Sequence, residues 1–202
     1  MEARPRVAGI VLAAGRSTRM GRPKQILPFR GRTVLECVVD NALTSGLHRV
    51  VVVLGHEAEA VMPLLGHRRV TTVVNPVYRE GQSSSLKAGL GALTAETDAA
   101  LFLLGDQPLV TPDTINLVIA AFADSPSPIV IPTFEGHRGN PVLFGRETFP
   151  RIEALSGDHG ARGLFREYGD DIRSIDVQTP AIHFDLDTEE DYLRLLREFP
   201  AV

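Results

Sequence analysis

Short runs of almost uniformly apolar residues alternate along this chain with segments whose apolar positions recur every three to four residues. The runs are Val7–Leu12, Val50–Leu54, Val70–Val74, Ala99–Leu104 and Ile129–Pro132. Runs that are apolar at odd and even positions alike predict strands covered on both faces, as in a parallel sheet. The segment TVLECVVDNALTSG carries apolar residues at 34, 35, 38, 39, 42 and 43, one face of a helix. Thr33 and Glu36 have capping-box spacing at its start, and Gly46 is placed to close its end. TPDTINLVIAAF predicts a second helix, with Thr111 as N-cap and Pro112 at the first helical position. SSSLKAGLGAL and DTEEDYLRLLREF predict two more. Strand and helix in alternation mean α/β architecture around a mainly parallel sheet.

After Pro132 the pattern changes. TFEGHRGNPVLFG reads as two short strands around a glycine-rich turn, a hairpin rather than another strand–helix–strand unit. No linker, internal repeat or low-complexity stretch interrupts the chain. Its 202 residues predict one domain spanning 1–202, with the second half as an inserted, mobile part.

Composition narrows the function. A formal net charge of −4 argues against general nucleic-acid binding, so any anion site must be local. A single cysteine, Cys37 on the apolar stripe of the first helix, excludes an internal disulfide and a cysteine-rich zinc site. The six histidines show no HxxH or HExxH spacing. Arg4 and Arg6 ahead of VAGIVLAAG imitate a signal peptide, but the run is short and a basic loop follows it, so a cytoplasmic, soluble protein is expected. No stretch approaches the ~20 apolar residues of a membrane span.

In parallel α/β sheets ligands collect at the carboxyl ends of the strands. The first strand is followed by LAAGRSTRMGRPK, Leu12–Lys24, with two glycines, three arginines and a lysine. It fits neither GxxxxGK[ST] nor GxGxxG. Backbone N–H groups around Gly15 and Ser17 could form an anion nest, with Arg19 and Lys24 supplying charge. The fourth strand ends in GDQP, where Asp106 closes an apolar run behind Gly105. A carboxylate there is costly unless a cation meets it, and it suits Mg²⁺, which takes one or two carboxylates plus phosphates. The last apolar strand runs into HFDLDTEED, where Asp185 and Asp187 would share one face of a strand; Asp187 is the better second metal carboxylate. In NPVYREGQSSSLKAGL, Gly81, Ser83, Ser84 and Ser85 offer hydroxyls and free N–H groups for a base or ribose. A solvated basic turn, a capping aspartate and a serine-rich N-cap would read the same one by one.

Together these pieces resemble the MobA-like NTP transferases. The resemblance rests on LAAGxSxRMGxxK at Leu12–Lys24, NPxxxxGxxxSL at Asn75–Leu86, GDQP at Gly105–Pro108 and DxDT at Asp185–Thr188. Within them the chain is most similar to the molybdenum cofactor cytidylyltransferases, through LAAG where the guanylyl branch tends to carry LAGG, GNPVLF at Gly139–Phe144 and GDHGAR at Gly157–Arg162. At Asn140 those proteins usually carry histidine.

The resemblance implies a three-layer Rossmann-like nucleotidyltransferase fold, mainly parallel, with a small β-hairpin insertion in the second half. Residues to about 110 would bind nucleotide and the remainder the acceptor. The implied reaction joins CTP to a molybdopterin-type cofactor and releases pyrophosphate. Leu12, Ala13, Ala14, Gly15, Ser17, Arg19, Lys24, Asn75, Gly81, Ser83, Ser84 and Ser85 would hold the nucleotide. Asp106 and Asp187, with Asp185 beside them, would bind Mg²⁺; Arg19, Lys24 and Asp106 would be catalytic. Gln107, Pro108, Gly139, Asn140, Pro141, Asp158, Gly160 and Arg162 would face the acceptor. A transient contact with a recipient molybdoenzyme is implied, and none with nucleic acid or membrane. A sugar- or polyol-phosphate acceptor, or a non-catalytic cofactor carrier, is the rival reading; no flavin or nicotinamide signature favours an oxidoreductase.

Overall fold

In the computed structural model, which describes residues 4–200, the first apolar run forms β1 (Val7–Ala13) at the middle of the sheet. A two-residue hairpin follows, β2 (Pro28–Phe29) and β3 (Arg32–Thr33). Then come α1 (Val34–Thr44), β4 (Arg49–Leu54), α2 (Ala58–Val61), β5 (Thr71–Val74), α3 (Gln82–Leu90), β6 (Ala99–Leu104) and α4 (Pro112–Asp124). The second half supplies β7 (Ile129–Phe134), β8 (His137–Arg138), β9 (Val142–Gly145), α5 (Phe149–Ala154), α6 (Arg162–Tyr168), β10 (Ile172–Asp176) and α7 (Glu189–Glu198).

The sheet runs β10-β7-β9-β6-β1-β4-β5, with β8 paired to β7. β1 pairs in parallel with β4 on one side and β6 on the other. β5 and β10 are also parallel to their neighbours, while β9 lies antiparallel between β6 and β7. The expected mainly parallel α/β fold is therefore present, and the strand after the glycine-rich turn joins the main sheet.

Alternation along the strands sorts the core into two layers. Val7, Val11, Val52 and Leu101 pack with α1 and α4, through Leu35, Val38, Ile115 and Val118. Ile10, Val53 and Phe102 pack on the other face with Leu86 of α3, Ile152 of α5 and Leu164 of α6. Each fully buried aliphatic or aromatic side chain contributes about 1.5–3 kcal/mol of transfer free energy, so neither layer can detach alone. A third cluster matters most for the site. Tyr192 and Leu195 of α7, with Phe184 and Leu186, pack on Leu27, Phe29 and Leu109, docking α7 over the carboxyl end of the sheet.

The caps follow the sequence, with one correction. Thr33 and Glu36 form the capping box of α1, and Thr111 caps α4 by accepting from the Thr114 N–H. Gly46 does not close α1 in a left-handed turn: Ser45 ends the helix with extended backbone, and the Gly46 N–H donates to Asn116 Oδ1 at 2.7 Å.

Two strand expectations also change. β5 is half-exposed rather than covered on both faces, because it is the edge of the sheet. No strand leads into HFDLDTEED. β10 ends at Asp176, a helical turn spans Pro180–His183, and residues 184–187 are irregular, so Asp185 and Asp187 do not sit on a common strand face. The alternating IRSID of β10 gives it a half-exposed edge position at the other end of the sheet. Among the described residues, no helix is long and apolar enough to cross a membrane.

Candidate active site

The chain passes from β1 to one side of the sheet, through β4 and β5, and then crosses by α3 to β6 on the other side of β1. That reversal leaves a crevice over the carboxyl ends of β1 and β6, the place where open α/β sheets bind ligands. A cleft of about 750 Å³ opens there. Its walls include the loop after β1, the start of α3, the turn after β6 and Asp187, two residues ahead of α7.

The loop is shaped by its own backbone. Ser17 adopts a left-handed conformation (φ 50°), and its carbonyl accepts from the N–H groups of Met20 and Gly21. Ser17 Oγ accepts from the Lys24 N–H at 3.1 Å. Gln25, buried beneath, donates its side-chain amide to the carbonyls of Ala13 (3.2 Å) and Gly15 (3.3 Å). A Cβ added at Gly15 would enter open space, so packing within the protein does not demand glycine there. At Gly105 a Cβ would press on Ala13 Cβ and the Leu12 carbonyl, each 3.0 Å away, so that glycine serves the contact between β1 and the turn after β6.

Lys24 is the centre of the charged cluster. Its ammonium contacts the Asp106 carboxylate directly and lies 3.2 Å from Asp187 Oδ1. Arg19 reaches Asp187 Oδ2 at 2.9 Å. Burial works to lower the Lys24 pKa, but Asp106 and then Asp187 outweigh it, and the lysine titrates above its usual 10.5. Asp187 is fixed from behind: its N–H and that of Thr188 donate to Asp191 Oδ2, in the capping box that starts α7.

Asp185 belongs to a different set. Its carboxylate accepts from Gln107 Nε2 at 2.7 Å, and Gln107 also donates to the Ile182 carbonyl. Asp185 keeps contact with solvent. Even so, burial by the surrounding protein, followed by the Asp106 charge, raises its carboxyl above the ordinary 3.8, partly offset by the Gln107 hydrogen bond.

Among the expected nucleotide residues, Leu12, Ala14, Gly15, Ser17, Arg19, Lys24, Gly81 and Ser85 line the cleft together with Asp106 and Asp187. Ala13 and Ser83 are buried and do not line it. Nor do Asn75 and Ser84. The buried Asn75 amide donates to Ser84 Oγ (2.8 Å) and Ser85 Oγ (3.1 Å), while its carbonyl oxygen accepts from Val77 N–H. The pair orders the start of α3. Arg162 and Asp158 line the cleft, with Asp158 accepting from the first N–H of α3 at 3.2 Å. Gly139, Asn140 and Arg162 line an adjoining cavity of about 190 Å³ floored by Phe102, Phe144 and Phe165. Gln107, Pro108, Pro141, Gly160 and Asp185 line neither cavity.

Sequence reasoning missed Gln25, Tyr78, Arg79 and Gln82. Tyr78, Arg79 and Gln82 flank Gly81 in the quoted NPVYREGQSSSL segment, so position next to a candidate was the available signal. Nothing marked Gln25 beyond its place after Lys24.

Two carboxylates converging on one ammonium also meet the requirement for a hard divalent ion that draws its other ligands from phosphates and water. Among the described residues, no group of three or more His, Cys, Asp or Glu could hold a metal without such help.

The description MobA-like NTP transferase domain matches residues 9–172 of the chain. Nicotine blue oxidoreductase of Paenarthrobacter nicotinovorans is 34% identical, covering 95% of this chain and 97% of that protein. Molybdenum cofactor cytidylyltransferase of Escherichia coli is 26% identical, covering 91% and 92%. A crystal structure of Rv0371c from Mycobacterium tuberculosis in complex with manganese superposes with a TM-score of 0.82 at 32% identity, covering 95% of this chain and 98% of that one.

Proposed function

The chain belongs to the MobA-like NTP transferase family, and from that premise we propose that it transfers CMP from CTP to the terminal phosphate of a molybdopterin-type cofactor, releasing pyrophosphate. The observation that carries this reading is Lys24 held between Asp106 and Asp187 at the mouth of the β1–β6 crevice, beneath a basic loop. A nucleoside triphosphate with a divalent cation would offer a polyanion for Arg19 and Lys24 and a cation for the carboxylates.

In the reaction an oxygen of the acceptor phosphate attacks the α-phosphorus of CTP. The bond from that phosphorus to the bridging oxygen breaks, and pyrophosphate leaves with the electron pair. A phosphate monoester is already largely anionic at neutral pH, so no general base is needed. What remains is to align two polyanions and neutralise charge. Arg19 and Lys24 turn from Asp187 to the triphosphate, and backbone N–H groups about Gly15 and Ser17 receive its oxygens. The open space at Gly15 leaves room for that approach. Asp106 and Asp187 would hold Mg²⁺, which would supply charge neutralisation for the reacting phosphates; that Rv0371c forms a manganese complex supports the use of a divalent ion. Arg162, which lines both cavities, is suited to the acceptor phosphate.

A second reading has one observation in its favour, the 34% identity to a protein named as an oxidoreductase. The deciding experiment measures pyrophosphate release with CTP or GTP, with and without molybdenum-loaded molybdopterin, in wild type and Asp106→Ala, beside a parallel assay of NADH and NADPH consumption. Release requiring CTP and the pterin, and lost in the variant, supports the proposal. Nicotinamide consumption without pyrophosphate release moves the assignment to the oxidoreductase. Pyrophosphate release with sugar phosphates instead of pterin would overturn the acceptor, and tight pterin binding without turnover would make the protein a carrier for a molybdoenzyme.

A further inference from the structure

Arg22 stands in the basic loop, and its charge alone gives no reason to separate it from Arg16 and Arg19. The fold separates it. Arg16 and Arg19 line the cleft, whereas Arg22 turns toward α7. One Nη2 of its guanidinium donates to both Glu189 oxygens, at 2.7 and 2.9 Å. The guanidinium carbon also lies 5.6 Å from the centre of the Tyr192 ring, within cation–π range. Glu189 and Tyr192 are three residues apart on the first turn of α7 and so share a face. Tyr192 is anchored in turn, its hydroxyl donating to the Pro28 carbonyl at 2.7 Å.

Glu189 is the first helical residue and Asp187 lies two positions earlier, held by the same capping box. The loop that carries Arg19 and Lys24 is thus tied to the start of α7, the helix that follows Asp187, by a contact outside the cleft. Arg19 and Lys24 must release Asp187 to take up a phosphate; the Arg22–Glu189 contact has no reason to break. We infer that Arg22 and Glu189 are a positioning pair that sets the loop-to-Asp187 distance for nucleotide binding without touching nucleotide. This rests on the nucleotidyl-transfer reading above.

Both side chains are about half exposed, 50% and 46%, so the effect is modest. Arg22→Gln and Glu189→Gln should each raise KM for CTP by about fivefold, the upper end for exposed pairs, with kcat within about twofold. The double variant should be no worse than either single one, since both break the same contact. Glu190→Gln removes an equal charge one residue on and should change nothing. Amide hydrogen exchange of residues 17–24 in the nucleotide-free protein should quicken in both single variants and not in the control. A merely structural role for the pair would lower the melting temperature while leaving KM in place. Unchanged exchange and KM, or effects that add in the double variant, would overturn the inference. If wild type turns over no nucleotide, the functional reading falls, and the exchange experiment still decides whether the pair fixes the loop.

Discussion

Lys24 and Arg68 are each held by two carboxylates, yet only the Arg68 group is closed. Arg68 is 7% exposed, and its guanidinium is closely matched. Nε donates to Asp40 Oδ1 at 2.6 Å, Nη2 to Oδ2 at 3.0 Å, and Nη1 to Glu36 (3.1 Å) and the Leu64 carbonyl (2.6 Å). Arg32 adds a second donor to Asp40 at 2.8 Å. Burial pushes the Asp40 carboxyl up, but Arg68 and then Arg32 bring it below its ordinary value. Glu36 is lowered against its own burial by Thr33 and then Arg68. The group closes on itself and joins α1 to the turn after α2. The Lys24 cluster instead opens into the cleft, with Asp187 45% and Arg19 73% exposed. Charge is common to both clusters; saturation is what separates a brace from a site that can exchange partners with a ligand.

The strongest way to break that comparison is Asp106→Asn, which keeps shape and removes charge. Nucleotidyl transfer should fall by about 10²–10³ in kcat/KM, the usual loss when one electrostatic contact to the reacting phosphates is removed. Thermal stability should fall by less than in Arg68→Met, because Lys24 keeps Asp187, which is 45% exposed, and asparagine can still accept a hydrogen bond from the ammonium. Kinetics and calorimetry on the same preparation check both halves. A matching fall in melting temperature would put Asp106 in the bracing class and remove the contrast.

Arg68→Met reverses the pattern. It leaves Glu36 and Asp40 without their main partner, and breaking a buried pair this way costs about 3 kcal/mol. Denaturant unfolding should show that loss, with kcat retained wherever the variant remains folded. The pH dependence sharpens the point. Both carboxyls have folded-state pKa values below their unfolded ones, so their stabilisation is complete above the unfolded values, about 4, and is lost as pH falls through the folded values. The gap between wild type and Arg68→Met should therefore be widest near neutrality and narrow below about pH 4. A gap independent of pH would mean that lost packing, not charge, dominates.

The two clusters were unequally legible in the sequence. Asp106 follows an apolar strand in the turn after β6 and Lys24 closes a glycine-rich basic loop, so local pattern marks both, and the sheet's crossing rule brings them together. Arg68 sits in GHRRV beside Arg69, and no local feature says which of the two turns inward. Glu36 was legible as a helix cap and not as Arg68's partner, because the second role depends on a contact 32 residues away. The fold shows the same division. Strands buried on both faces announced themselves by uniform apolarity, whereas β10, a half-exposed edge strand reading IRSID, did not. Asp185 and Asp187 carry the limit furthest: two residues apart in one motif, they were assigned a shared strand face, but the chain there is irregular. Asp187 meets Lys24, and Asp185 meets Gln107.

That divergence yields the smallest and most discriminating expectation. Asp187→Asn should impair transfer on the scale of Asp106→Asn, whereas Asp185→Asn should change kcat/KM by no more than about threefold, as for an exposed charge outside the contact. The stability change has a definite sign. Asp185 has a folded-state pKa raised by burial and by Asp106, so the folded protein binds its proton more tightly than the unfolded chain does, and the ionised form costs stability at neutral pH. Asparagine removes that cost. The variant should be at least as stable as wild type at pH 7, and the advantage should shrink as pH falls through the raised folded value and vanish only below the unfolded value of about 4, where the wild-type carboxyl is protonated in both states. A variant less stable at pH 7, with activity lost as in Asp187→Asn, would place Asp185 in the exchanging cluster after all and shift the divide between the two kinds of carboxylate to the far side of Gln107.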